Sequence, residues 1–284
     1  MALFEKADGQ VTLRAAVGNY PGTQALKSGL IESAILRFEF ADITPINRAF
    51  APMAREAKFD VSEMAIGTFL QARAYGKPIV LLPVILAARF QETALLCLSE
   101  GKVKDPMDLV GCRIGVRAYS QTTGMWLRGI MKDRFGLRAD QVRWITFEDA
   151  HVSEYRDPPW AERAAAGKDM MAMLHAGELD AVIVGNDPPK DVSLRQVFQR
   201  STPNAHEFVP INHMLTIRQE IVTQRRDLAE EVLRMFRESQ NSNPSTRAEI
   251  DPILETALRY AQDLLPHPLT LDEVWAGTPE RHLL

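Results

Sequence analysis

Five places in this chain carry the residue types that proton transfer and anion binding require. Ser62 and Glu63 stand where the short strand Phe59–Val61 gives way to apolar residues at helical spacing, Ala65, Phe69 and Ala72. Polar residues at the carboxyl end of a strand in an open α/β sheet are placed to face a ligand. Ser62 fits equally well as a helix cap. Tyr119-Ser120-Gln121-Thr122-Thr123-Gly124 follows the strand Ile114–Val116 and opens a helix bearing Trp126. Hydroxyls, an amide and unpaired backbone N–H groups at a helix start form a cradle for an anion. The helix dipole adds about 0.3–1 kcal/mol at exposed sites. Capping by Ser120 or Thr122 alone needs fewer polar groups than this turn supplies.

His213 is the best single acid or base, because an imidazole titrates near neutrality. It stands between Pro210-Ile211 and the strand Met214–Ile217. Arg89 is the best fixed cation for a carboxylate, whose two oxygens match its planar fork; a surface ion pair is the simpler reading. Asn186 and Asp187 end another strand, where they either face a ligand or turn the chain.

Other chemistries leave no signature. The six histidines (151, 175, 206, 213, 267 and 282) include no closely spaced pair, and there is no His-Glu-x-x-His or Cys-x-x-Cys. No cofactor is expected, although a divalent metal held by His213, Glu63 and a third residue brought in by the fold stays open. No glycine-rich phosphate loop or serine elbow occurs.

With 284 residues the chain can bury one large or two medium cores. A net charge of −4 with mixed signs argues against nucleic acid and against a polybasic membrane patch. No apolar run approaches the ~18 residues that span a bilayer. The first ten residues lack a basic region followed by an apolar run, so no secretory leader is read there and a cytoplasmic location is expected. Cys97 and Cys112 sit in apolar segments and are expected as buried free thiols. Homo-oligomerisation is left open.

Strands and helices alternate from the start, which argues for α/β architecture with largely parallel sheets. The pattern predicts strands at 11–17, 35–40, 59–61, 79–85, 93–99, 113–117, 142–147, 181–184 and 214–217. Helices are predicted at 23–29, 47–58, 122–135, 169–176, 227–239 and 250–264. Residues 148–167, with Asp157-Pro158-Pro159-Trp160, show no periodicity and read as a long loop. Met170, Met171, Met173 and Met214 read as core rather than as a ligand box.

Phe59-Asp60-Val61-Ser62-Glu63-Met64, with the helix that ends Ala72-Arg73-Ala74-Tyr75-Gly76, resembles the 4,5-dihydroxyphthalate decarboxylases. Further matches follow in order. They are Asn19-Tyr20 with Thr23, Ala25, Leu26 and Gly29; Leu82-Pro83-Val84 before Arg89-Phe90; and Asp108 to Val116. Thr122 to Gly129, with Trp126 and Arg128, and Pro210-Ile211-Asn212-His213 complete them. The resemblance implies a two-lobed, type 2 periplasmic-binding-protein-like fold with a ligand cleft between the lobes. Residues 1–98 plus 214–284 would form one lobe and 99–213 the other.

It further implies non-oxidative decarboxylation of a hydroxylated aromatic acid. His213 and Glu63 would transfer protons, in an order the sequence leaves open. Asn19, Tyr20, Ser62, Arg89, Tyr119, Ser120, Gln121, Thr122 and Asn186 would bind a small aromatic carboxylate. Two departures stand out. The first turn has Asn19, Pro21, Gly22 and Gln24 where the family pattern is more charged, and Asn186 stands where a basic residue is expected. A non-catalytic solute-binding protein would use the same cleft without a matched acid and base.

Overall fold

The computed structural model describes residues 6–7, 9–185, 189–198, 208–240 and 245–279. The elements, in chain order, are β1 (Lys6–Ala7), β2 (Gln10–Ala16), α1 (Pro21–Lys27), β3 (Leu36–Phe40), α2 (Phe50–Glu56), β4 (Val61–Ala65), α3 (Ile66–Ala74) and β5 (Ile79–Ala88). Then come β6 (Leu95–Leu98), β7 (Arg113–Val116), α4 (Thr122–Phe135), β8 (Arg143–Thr146), β9 (Ala161–Arg163), α5 (Met170–His175), β10 (Ala181–Ile183) and β11 (Leu194–Gln196). The chain ends with β12 (Ile211–Arg218), α6 (Gln219–Gln224), α7 (Arg226–Gln240), α8 (Arg247–Tyr260) and α9 (Leu271–Trp275).

These elements form two compact units, 1–88 with 211–258 and 265–284, and 89–210 with 259–264. The excursion begins at Arg89, ten residues before the expected Ser99. The reason is β6, which pairs with β10 and β11 in the second sheet and so carries residues 95–98 with it. Residues 259–264 also pack in the second unit.

The sheet of the first unit runs β1-β2-β4-β12-β5, with β3 also on β2. β2 is parallel to β3 and β4, whereas β12 is antiparallel to both β4 and β5. β4 is buried throughout, as strands covered on both faces are. It runs through Ser62 and Glu63, which the sequence pattern placed in a turn after Val61. β12 loses register with β5 between Ile211 and Leu215. Such irregularities re-aim side chains, and His213 lies inside this one.

The second sheet runs β11-β6-β10-β7-β8-β9, with β10, β7, β8 and β9 parallel. The expected loop 148–167 contains β9, whose three residues give a periodicity argument too little to work on. α4 has the predicted bounds. Its stop is Gly136 at φ +66°, a left-handed cap that suits glycine. Both cysteines are buried and free. Met214 is fully buried, and Met170, Met171 and Met173 pack against the core of the second unit.

α7 presents Leu228, Val232, Leu233 and Phe236 to the first core, where the Phe236 ring meets Phe38 edge-on at 5.7 Å. Phe236→Ala removes a fully buried ring that cannot be replaced by collapse around it. The expected loss is about 3–5 kcal/mol, read as a lower denaturant midpoint with an unchanged slope.

Candidate functional site

The first unit gathers Glu63, His213 and Tyr20. His213 pairs with Ala65 across β12 and β4, and Leu215 pairs with Glu63. Glu63 and His213 are therefore diagonal neighbours on one face, within reach of long side chains. The Glu63 side chain is wholly shielded from solvent, while that of His213 is 13% exposed.

A buried carboxylate stays charged only when donors replace its water. Glu63 has three. Gly18 N–H donates to Oε2 at 2.9 Å, the Tyr20 hydroxyl donates to Oε1 at 2.7 Å, and His213 Nδ1 lies 2.6 Å from Oε1. A carboxylate facing Nδ1 holds the proton there and leaves Nε2 as the nitrogen that exchanges protons. The ring is fixed on another side by Phe50, edge-on at 5.1 Å and 80°.

Tyr20 comes from the extended residue before α1, where Thr23 Oγ1 accepts from its backbone N–H at 3.0 Å. Its phenol pKa is pushed far up, first by burial and then by the Glu63 charge. Gly18 makes the arrangement possible, since an added Cβ would fall 2.5 Å from the Tyr20 ring. Lys27, reaching from the end of α1, donates to Asn19 Oδ1 at 2.7 Å and to the Val17 carbonyl. Burial lowers its pKa, and the Glu63 and Asp42 charges oppose that. Asn19 is thus exposed and committed to Lys27.

Ser62 stands differently from expectation. It is fully buried within β4, and its hydroxyl donates to the Glu63 carbonyl at 2.8 Å. It neither caps α3 nor faces solvent, because alternation along the strand points it away from the face of Glu63.

The second unit gathers Arg89 and the start of α4. Arg89 Nη2 donates to Thr123 Oγ1 at 3.3 Å. Its Nε is buried without a partner, and burial lowers its pKa. It forms no ion pair among the described residues. Gln121 occupies the N-cap position, and its side chain makes no capping hydrogen bond. Ser120 and Thr122 are each 5% exposed. Tyr119 is wholly buried, and its hydroxyl accepts from Trp160 Nε1 at 2.8 Å and donates to Asp263 at 3.3 Å. It belongs to the interior rather than to a ligand surface. Asn186 lies outside the described residues. Among the described residues, no group of three or more His, Cys, Asp or Glu is placed to hold a metal ion, and no helix is long and apolar enough to cross a membrane.

Gly18 and Lys27 escaped the sequence reading. The available signal was a glycine directly after a strand and one residue before Asn19-Tyr20.

No protein-family model matches the chain. It is 24% identical over 286 residues to the 4,5-dihydroxyphthalate decarboxylase of Comamonas testosteroni, covering 90% of this chain and 84% of the relative. It is 28% identical over 182 residues to the enzyme of that name from Pseudomonas putida, covering 61% and 70%. The chain resembles these decarboxylases. The periplasmic aliphatic sulphonate binding protein SsuA from Escherichia coli superimposes with a TM-score of 0.53 at 14% identity, covering 94% of this chain and 84% of that one. The fold is therefore that of the periplasmic binding proteins, built here from two α/β units.

Tyr20, Tyr119, Tyr155 and Tyr260 all have phenol pKa values raised above the ordinary 10.0, each chiefly by burial. A phenol that holds its proton more tightly when folded stabilises the fold fully below pH 10.0, and that stability fades as pH rises toward the folded value. Alkaline titration followed by phenolate absorbance and circular dichroism is expected to show these phenols ionising together with unfolding. Ionisation of these four phenols in a still-folded chain would contradict their burial.

Proposed function

We propose that the chain is a non-oxidative decarboxylase of a hydroxylated aromatic dicarboxylate of the 4,5-dihydroxyphthalate kind, acting in aromatic degradation. The observation that carries this reading is the Glu63–His213 pair, in a chain similar over most of its length to two such decarboxylases.

The chemistry needs a proton delivered to the ring carbon that bears the departing carboxylate. A hydroxyl para to that carbon stabilises the cationic ring. The carbon–carboxylate bond then breaks, its electron pair restores aromaticity, and carbon dioxide leaves. The net change is one proton taken up per carbon dioxide released. His213 is the proton donor, through Nε2. Glu63 does not exchange protons with the substrate; it keeps Nδ1 protonated, orients the ring and stabilises the imidazolium. Tyr20 and Gly18 hold Glu63 in place. Arg89, half-buried and without an acidic partner among the described residues, has the chemistry to hold a carboxylate.

His213→Asn tests the assignment. The asparagine amide can still donate to Glu63, as Nδ1 does, but offers no equivalent of Nε2. Carbon dioxide release from 4,5-dihydroxyphthalate is expected to fall about 10²-fold or more, within the range for general acid–base catalysis, while ligand binding stays measurable. The assay uses purified protein and a panel of hydroxylated phthalates and benzoates. A wild type that binds one of them tightly and releases no carbon dioxide from any is a solute-binding protein instead.

A further inference from the structure

Arg128 is the least expected charge in the second unit. It lies on α4 and is 4% exposed, and none of its three guanidinium nitrogens has a hydrogen-bond partner among the described residues. The guanidinium carbon stacks 3.9 Å from the centre of the Tyr119 ring and lies 5.5 Å from that of Trp144. A methyl group added at Gly124 would lie 3.1 Å from Nη1. The charge is therefore folded back along the helix, against its first turn and just behind the residues that precede it.

Aromatic faces attract a cation but do not balance its charge. The Arg128 charge acts on Asp157, opposing the upward push of burial on that carboxyl, but no carboxylate forms an ion pair with the guanidinium among the described residues. Asp263 accepts from Tyr119, and Asp157 accepts from Thr146 Oγ1 at 3.4 Å. Neither bonds to the guanidinium. A buried cation lacking an ion-pair partner is costly to keep, and it raises the positive potential of everything nearby. What lies nearby is the start of α4, which already has the positive end of a helix dipole and an N-cap residue, Gln121, whose side chain makes no capping bond. Arg89 adds a second cation at Thr123.

We propose that Arg128 is a positioning residue for an anion site at the start of α4. Its buried charge acts through the first turn to hold a carboxylate that Arg89 and the turn contact directly. The choice of an aromatic carboxylate as ligand rests on the decarboxylase reading; the site itself does not.

The test uses the full chain, titrated calorimetrically with phthalate (a dianion) and benzoate (a monoanion), together with thermal melting of Arg128→Met and Arg128→Lys. Wild type is expected to bind phthalate. Arg128→Met is expected to lose about tenfold or more in phthalate affinity and less for benzoate, since the loss scales with ligand charge. The loss is expected to persist at high salt, because a buried charge is poorly screened. Arg128→Lys restores most of the affinity. The melting temperature of Arg128→Met is expected to hold or rise, because the charge it removes has no partner.

Three results would overturn the proposal: a wild type that binds neither anion, an Arg128→Met chain with unchanged phthalate affinity, or one that melts earlier or fails to fold. The last would make Arg128 a structural ion balanced by Asp157 and Asp263. Binding is measured without turnover, so the two readings fail separately. Arg128-dependent binding without carbon dioxide release refutes only the decarboxylase. Turnover with Arg128-independent binding refutes only this site.

Discussion

A carboxylate with no access to water must be matched by donors from the protein, and Glu63 imposes that requirement on the whole first unit. Taking an ion out of water costs several kcal/mol even after relaxation. Three donors from two segments offset that cost, namely the Gly18 N–H and the Tyr20 hydroxyl from the connection between β2 and α1, and Nδ1 of His213 on β12. None is local in sequence to Glu63. The parallel pairing of β2 with β4 brings Gly18 close, and the antiparallel pairing of β12 with β4 brings His213 close. The site and the sheet are thus one construction. Loosening either strand pairing would leave a buried charge without its partners.

The second unit meets the same physics with the opposite sign. Its buried guanidinium at Arg128 has aromatic neighbours but no ion-pair partner among the described residues, and Arg89 is desolvated and likewise lacks an acidic partner there. One unit buries an anion and satisfies it internally. The other keeps positive charge near a helix start that is already suited to anions.

What was legible in the sequence follows from what periodicity reports. α4 and the apolar face of α7 were read correctly because each is long, and α4 ends at a glycine. β4 was cut short because a strand buried on both faces shows no alternation, and its Ser62-Glu63 pair looks like a turn. β9 and β11 have three residues each, too few for a pattern. Glu63 and His213 were legible as chemical types, but the division of labour between them was not. It depends on a diagonal across two strands that are 150 residues apart in the chain. Arg128 was passed over as an acid–anion candidate for a related reason. An arginine on a helix ordinarily lies on the solvated face, and only packing reveals that this one does not.

The fold alone does not separate an enzyme from a binding protein, since function resides in the site that a fold carries. The separating feature here is directional. A ligand held by passive binding needs donors and cations, which the start of α4 and Arg89 provide. It does not need an imidazole whose inner nitrogen is fixed by a buried carboxylate that two further groups hold in place. The proposed reaction gives that arrangement a use, since the outer nitrogen is then the one that moves a proton. In the proposed reaction Glu63 orients the imidazole and is itself held by its contacts with Gly18, Tyr20 and His213.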